Sequence, residues 1–275
     1  ITASGEASSC TLGLNGSWEG FPATRASAGL DFTGQSRAMT RRRFLNTETA
    51  LKDLIWPDLQ STQGGAFFQL ETSREDGLQW RLGARADWME SEVGAPSAPV
   101  SGVPGARGDT VAENFVAYHG PDAAALAHTD STGALNGLLW GKLSGPLAGY
   151  LGAGYTVAAP GLGERYRSLV NDLGGGVELG NPTLQPERKT EWHAGLSWEQ
   201  PGLTGSIEVF QAEADDYIQR EWIAEGPRIY SFANRDARFR GLLATFELRS
   251  DNGTSASSWR VPLEFEALEG FDRSR

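Results

Sequence analysis

Three histidines, His119, His128 and His193, are the first places to look for chemistry, because imidazole can bind a metal or move a proton near neutral pH. His119 and His128 each have a carboxylate close in sequence, Asp122 and Asp130, and could contribute to metal capture; the alternative is an ordinary loop histidine. His193 falls on the polar face of an alternating segment and reads as a wall residue. Arg165 and Tyr166 set a guanidinium beside a phenol on a long connection and are candidate ligand contacts. Glu213, Asp215 and Asp216 could hold a cation, or form a solvated loop end. Catalysis is not indicated. A hydrolase needs a nucleophile, a base and an orienter, whereas no Gly-x-Ser-x-Gly elbow occurs and no histidine lies in a recognisable motif. Gly174-Gly175-Gly176 lacks the Lys and Ser/Thr of a phosphate loop and reads as loop. Asn252-Gly253-Thr254 matches a glycosylation sequon but reads as a turn. The single cysteine, Cys10, allows neither an internal disulfide nor a cysteine metal site. No enzyme, cofactor or resident metal is expected.

The frame that must position these residues is written in period two. The chain has 275 residues with 35 glycines and 9 tryptophans but only 2 methionines, which favours turns and aromatic-rich strands over a helical bundle. Its formal net charge is -11, from 24 basic and 35 acidic residues, a poor fit to a general nucleic-acid binder. No run of about eighteen apolar residues occurs, so no transmembrane helix is expected. Barrel strands alternate and average to low hydropathy, so a membrane remains open. Alternation is clean over residues 11–18 and 25–33, with charges on the polar face. Ala66, Phe68 and Leu70 then lead to Arg74-Glu75-Asp76-Gly77, a favoured tight turn, and Leu78, Trp80, Leu82, Ala84, Ala86 and Trp88 share the face of the return strand. Trp80 and Trp88 lie roughly 26 Å apart along a strand, suited to two interfacial aromatic girdles. Further strands are expected over 135–143, 148–157, 192–198, 206–218, 229–249 and 261–267. Residues 41–63, 92–131 and 158–188 lose periodicity and are predicted as long loops; Gly226-Pro227 marks a short one. About ten strands with one wet face, joined by turns at one end and mostly long loops at the other, fit a barrel with a wet interior or a large sandwich.

Residues 180–195 read Gly-Asn-Pro-Thr-Leu-Gln-Pro-Glu-Arg-Lys-Thr-Glu-Trp-His-Ala-Gly. Pro182 and Pro186 predict an extended, rigid entry to the strand that follows. The stretch resembles the Asn-Pro-x-Leu-x-Pro-Glu signature of TonB-dependent outer-membrane receptors, with Asn181, Pro182, Leu184, Pro186 and Glu187 all matching. Ala214-Asp215-Asp216-Tyr217-Ile218 is similar to the family's acidic-aromatic stretch. Tyr230-Ser231-Phe232-Ala233-Asn234, with Gly241 and an inward Glu247, is similar to its next strand, and Gly195 falls on the strand after the signature. Ile55-Trp56-Pro57-Asp58 and Gly163-Glu164-Arg165-Tyr166 look somewhat like the copper-receptor branch.

The resemblance implies an all-β fold, a partial transmembrane antiparallel β-barrel of about ten strands out of twenty-two, with short periplasmic turns and long extracellular loops. Residues 1–275 would be a fragment of one barrel domain, with the plug domain and terminal strands absent. It implies active uptake of a metal complex (an iron-siderophore, copper or a cobalamin-like ligand) across the outer membrane of a Gram-negative bacterium. The implied partners are the TonB energy-coupling complex, acting through the plug, the ligand itself, and outer-membrane lipid with lipopolysaccharide; nucleic acid is not among them. The motif residues would be structural, setting the entry angle of the strand. Two other readings fit the alternation: a passive porin-like or adhesin barrel, and a soluble β-sandwich binding module.

Overall fold

Alternation this regular cannot satisfy a backbone by itself, and the chain answers with one continuous sheet. A computed structural model describes residues 2–21, 23–45, 48–72, 77–168, 170–171, 176–224, 228–250 and 259–273. Among the described residues, twelve strands form a single sheet. Ten are long: β1 Thr2–Phe21, β2 Thr24–Leu45, β3 Glu48–Thr72, β4 Gln79–Val93, β5 Ala127–Ser144, β6 Leu147–Ala158, β9 Glu187–Gln200, β10 Leu203–Ala224, β11 Arg228–Ser250 and β12 Trp259–Asp272. Each long strand pairs antiparallel with its neighbour in this order. Two short strands, β7 Val170–Asn171 and β8 Gly176–Glu178, lie inside the β6–β9 connection, and β8 runs parallel to the start of β11.

The two faces differ as the period requires. Leu14, Leu30, Leu135, Leu196, Ile207 and Phe265 share one face and are exposed, Leu14 to 74 %. Among the described residues nothing covers that face, which suits a wall against lipid hydrocarbon. Aromatic rings mark two heights on it. Trp18 packs on Phe68 at 6.3 Å, Trp198 on Phe246 at 5.3 Å, and, nearer the long connections, Phe32 on Trp88 at 6.5 Å. The opposite face carries ion pairs: Arg85 reaches over β3 to Asp31 on β2 with bonds of 2.8 and 2.9 Å.

Residues 41–63, expected as a long loop, instead continue β2 and β3 as a ladder past the wall. The register slips between Arg37 and Met39, between Met39 and Thr40, and between Arg41 and Arg42. These bulges destroy the two-residue period that sequence reading relies on. The Arg41 guanidinium pairs with the buried Asp53 carboxylate across that ladder. The other two expected loops hold helices: α1 Val111–His119, followed by a 3₁₀ turn at Pro121–Ala124, and α2 Leu162–Tyr166. Arg74, Glu75, Asp76, Gly174, Gly175, Gly226, Pro227 and the Asn252-Gly253-Thr254 turn lie outside the described residues.

Candidate functional site

At the loop end of the wall, the connections build a cap with its own hydrophobic core. Leu59, Val93, Val100, Val103, Val111, Phe115, Ala123, Tyr166, Val177, Leu179 and Ile229 are buried together there. They come from β3, β4, both long connections and β11, so the core joins segments far apart in sequence. Helix α1 contributes Val111 and Phe115, one turn apart on its inner face. Its start is fixed by a capping box: the Glu113 amide donates to Thr110 Oγ1 at 3.3 Å, and the Thr110 amide donates to Glu113 Oε2 at 3.2 Å. Gly120, at φ 85°, ends it in the left-handed region. The Thr110-x-x-Glu113 spacing was a readable signal inside a stretch otherwise lacking periodicity.

Arg165 and Tyr166 are 1 % and 0 % exposed, turned into the cap. The Arg165 guanidinium donates to Asp130 Oδ2 at 2.6 Å, to Asp130 Oδ1 at 3.2 Å and to the Leu184 carbonyl at 2.8 Å. It therefore ties α2 to β5 and to the proline-rich entry of β9. The Tyr166 hydroxyl donates to the Ser91 carbonyl at 3.2 Å and lies 3.1 Å from Ser91 Oγ. Burial pushes this phenol above its ordinary value. His128 stacks against it at 6.0 Å between ring centres, and its Nε2 donates to the Ala125 carbonyl at 3.0 Å. Burial, and then the Arg165 charge, hold the His128 imidazole below its ordinary value, against the opposing pull of the Ala125 carbonyl and Asp130. His119, in the last turn of α1, donates from Nε2 to the Gly180 carbonyl at 3.0 Å, with Ser231 Oγ 3.2 Å away. Burial lowers its imidazole as well, and the Gly180 bond partly offsets this. Among the described residues, no group of three or more His, Cys, Asp or Glu side chains is placed to hold a metal ion. His193 faces the opposite side from the apolar wall, beside Tyr150 and 3.7 Å from Glu208.

The signature stretch forms a clamp. The expected extension of Asn181 to Glu187 is interrupted by a turn, in which the Thr183 amide donates to Asn181 Oδ1 at 3.0 Å. This is the side-chain turn asparagine makes readily, and it pre-empts the extended conformation. Asn181 Nδ2 then donates to the Phe232 carbonyl on β11 at 2.8 Å, and Glu187 Oε2 accepts from the Ile218 amide at 3.3 Å. Asn234 bonds both directions of the stretch: its Oδ1 accepts from the Gln185 amide at 2.9 Å and its Nδ2 donates to the Gln185 carbonyl at 3.0 Å. Leu184 is 2 % exposed and Pro182 is buried; Pro186 is half-buried. The Ala214–Tyr217 stretch is a bulge, with Asp216 at φ 58° and its carbonyl accepting from Asn234 Nδ2 at 2.7 Å. Glu213 and Asp215 face Arg273, Glu213 also pairs with Arg238 at 2.7 Å, and Asp216 pairs with Arg188 at 3.0 Å. Gly195 and Gly241 lie under aromatic rings, Tyr150 and Phe210 respectively; a Cβ on Gly241 would stand 2.5 Å from the Phe210 ring. Glu247 is inward, beside Arg249.

Sequence reading did not anticipate a third set. Arg167 stacks on Trp56 of β3, pairs with Glu178 of β8, and Glu178 also accepts from Arg220, which stacks on Tyr230 at 4.0 Å. This chain of rings and charges, with the Ser168 amide donating to the Ile55 carbonyl at 3.4 Å, ties β3 to β11, six strands away in the sheet order. The link from β3 to this connection joins residues about 110 apart in sequence, Trp56 with Arg167 and Ile55 with Ser168, beyond the reach of local pattern.

The family described as TonB dependent receptor-like, beta-barrel matches residues 5–270. No curated protein matches. Among solved structures, the copper transporter OprC superposes with a TM-score of 0.74 at 15 % identity, over 100 % of this chain and 40 % of that one. The Serratia marcescens hemophore receptor HasR, solved as a double mutant with its hemophore HasA and heme, gives 0.65 at 16 % identity, over 97 % and 42 %. The ferric-catecholate import receptor Fiu of E. coli K12 gives 0.60 at 12 % identity, over 98 % and 38 %. The chain thus spans about two fifths of the length of these neighbours, and at such identities they share its fold. With the matched region running over nearly all of the wall and cap, the chain belongs to the TonB-dependent receptor-like β-barrel family.

Proposed function

We propose that the protein is an active-transport receptor of the Gram-negative outer membrane, taking up a metal complex with energy supplied through TonB. Family membership over residues 5–270 is the observation that carries this reading. Neighbours whose names refer to copper, heme and ferric catecholate support a metal complex as cargo. An iron-siderophore, copper and a cobalamin-like ligand are the candidate cargoes. In this reading residues 1–275 are part of one barrel domain, and a plug carried elsewhere on the polypeptide passes the TonB signal. The wall performs no chemical step.

Arg165, Tyr166, His119 and His128 act in this proposal as braces of the cap, since their side chains bond Asp130 and Leu184, Ser91, Gly180 and Ala125 respectively. Asn181, Pro182, Leu184, Pro186, Glu187 and Asn234 act as its clamp. Ligand contact passes to the stacked arginines Arg167 and Arg220, which remain 33 % and 42 % exposed. A guanidinium held over a ring is pre-organised for an anionic chelate. The test is uptake by whole cells carrying the full-length protein, using labelled ferric siderophores, copper and cobalamin in strains with and without TonB. Accumulation of one cargo that vanishes without TonB is the expected result; accumulation indifferent to TonB would identify a passive pore instead.

A further inference from the structure

The apolar band on the lipid side of the wall does not keep one height. On β6 the outward positions from Leu147 to Val157 are apolar, aromatic or glycine throughout, a stretch about 25 Å tall on a strand tilted by about 40°. On β11 and β12 the band ends sooner. Leu248 to Leu242 and Val261 to Ala267 each cover about 15 Å of height at the same tilt. The next outward row toward the cap is Gln211, Arg240 and Glu269. Arg240 pairs with Glu269 at 2.8 Å, and the two side chains are 55 % and 54 % exposed. This pair is complete within the chain and calls for no further ion. Hydrocarbon is a poor surrounding for it, since charge on the lipid face of a barrel is destabilising. A band shorter than the bilayer is met by local thinning or by association with another protein surface.

The order of the charges selects the surface that fits. A row with one charge of each sign on neighbouring strands is complementary to itself when reversed. A two-fold axis along the membrane normal, passing between β11 and β12, makes that reversal. It turns Arg240 toward the partner's Glu269, so that each charge meets its opposite. In the next row it turns Arg238 toward the partner's Phe271, a contact that Arg240 already makes within the chain, 5.0 Å over the ring. Beside these rows a groove of about 600 Å3, lined by Trp192, Val209 and Ala267 and including Gly241, leaves room for side chains of a facing wall. We propose that β11 and β12 form the interface of a homodimer in the outer membrane, with the two Arg240–Glu269 pairs joined into one network. The proposal rests on the membrane placement of the wall and not on TonB or on the cargo.

The test uses full-length protein in outer-membrane vesicles, with Cys10→Ser removing the native thiol and a short bismaleimide as the cross-linker. Ala267→Cys on β12 is expected to give a cross-linked dimer of this chain, while Ala84→Cys, on the same face at β4, stays monomeric. In either charge variant, Arg240→Glu or Glu269→Arg, two like charges face two like charges, and the Ala267→Cys dimer should fall about ten-fold. Co-expression of these two variants under different tags should restore it as a mixed dimer, because each copy then meets its opposite. A role confined to the pair within one chain would give no such rescue. The heat-dependent gel shift of a folded barrel is checked for every variant. Should a charge variant not fold, the comparison of positions 267 and 84 decides alone. Monomer at both positions, equal cross-linking at both, cross-links only to a different protein, an undiminished dimer in the folded charge variants, or no mixed dimer between them would overturn the proposal.

Discussion

Arg165 holds a positive charge inside the cap, and that charge is tolerable only because Asp130 meets it with two bonds. Breaking a buried pair by removing one partner costs about 3–5 kcal/mol, because the remaining charge stays buried and uncompensated. Asp130→Asn should therefore loosen the cap by about 3 kcal/mol, seen as faster hydrogen exchange around α2 and the clamp with the wall strands unchanged. A second outcome concerns pH. His119 and His128 both titrate below the ordinary value of 6.5, so the opened cap binds more protons than the closed one as pH falls. Their contribution is fully present above about pH 6.5 and is lost as the pH drops through their lowered values. Limited proteolysis of the 92–131 connection, with a protease active across the range, should speed up on acidification, and less so in His119→Gln. Tyr166 and Arg165 looked like ligand contacts in the sequence because an Arg-Tyr pair on a long connection is chemically capable of it. Burial is a property of the packed cap, and adjacency in sequence carries no information about it.

At the level of elements, the wall strands were legible because each obeys period two with an apolar face, as in Leu242, Ala244, Phe246 and Leu248. What was illegible failed for physical reasons. β2 and β3 beyond Arg37 shift register three times, and α1 is short and set among glycines and prolines, so neither shows a sustained period. The clamp was legible as a signature, yet its bonds to Phe232, Asn234 and Ile218 depend on strands that follow it by some thirty to fifty residues. Asn181→Ala removes the bond to Phe232 and the turn acceptor together. It should destabilise the docking of the β6–β9 connection by about 1–3 kcal/mol, measured as increased exchange over residues 176–187. Gly195→Ala tests the opposite face of the same element. Its methyl would collide with the Tyr150 ring, whose hydroxyl donates to Glu208 at 2.5 Å, so the ring must leave and that bond is lost. The expected cost is about 1–3 kcal/mol, read as a lower urea midpoint for loss of the folded, heat-modifiable band.

For the whole molecule, the sheet presents lipid with one face and the lumen with the other, and the cap closes over its loop end. The overall class was readable in advance, since strand period, aromatic spacing and the alternation of turns with long connections all point the same way. The bridge from Trp56 through Arg167, Glu178 and Arg220 to Tyr230 was not, because it exists only once the sheet curves enough to bring β3 and β11 within reach of one connection. Transport of any cargo by this protein depends on one face of the sheet meeting lipid and the other meeting water. Spin labels placed one at a time along β4 and β5 of the full-length protein in outer-membrane vesicles test this directly, after Cys10→Ser removes the native thiol. Labels at positions 82, 84 and 135 should be accessible to oxygen from the bilayer, and labels at 83, 85 and 136 to a water-soluble nickel reagent from the lumen, alternating residue by residue. Uniform access of the water-soluble reagent to both sets, or protection of both from oxygen, would contradict a lipid-facing barrel wall.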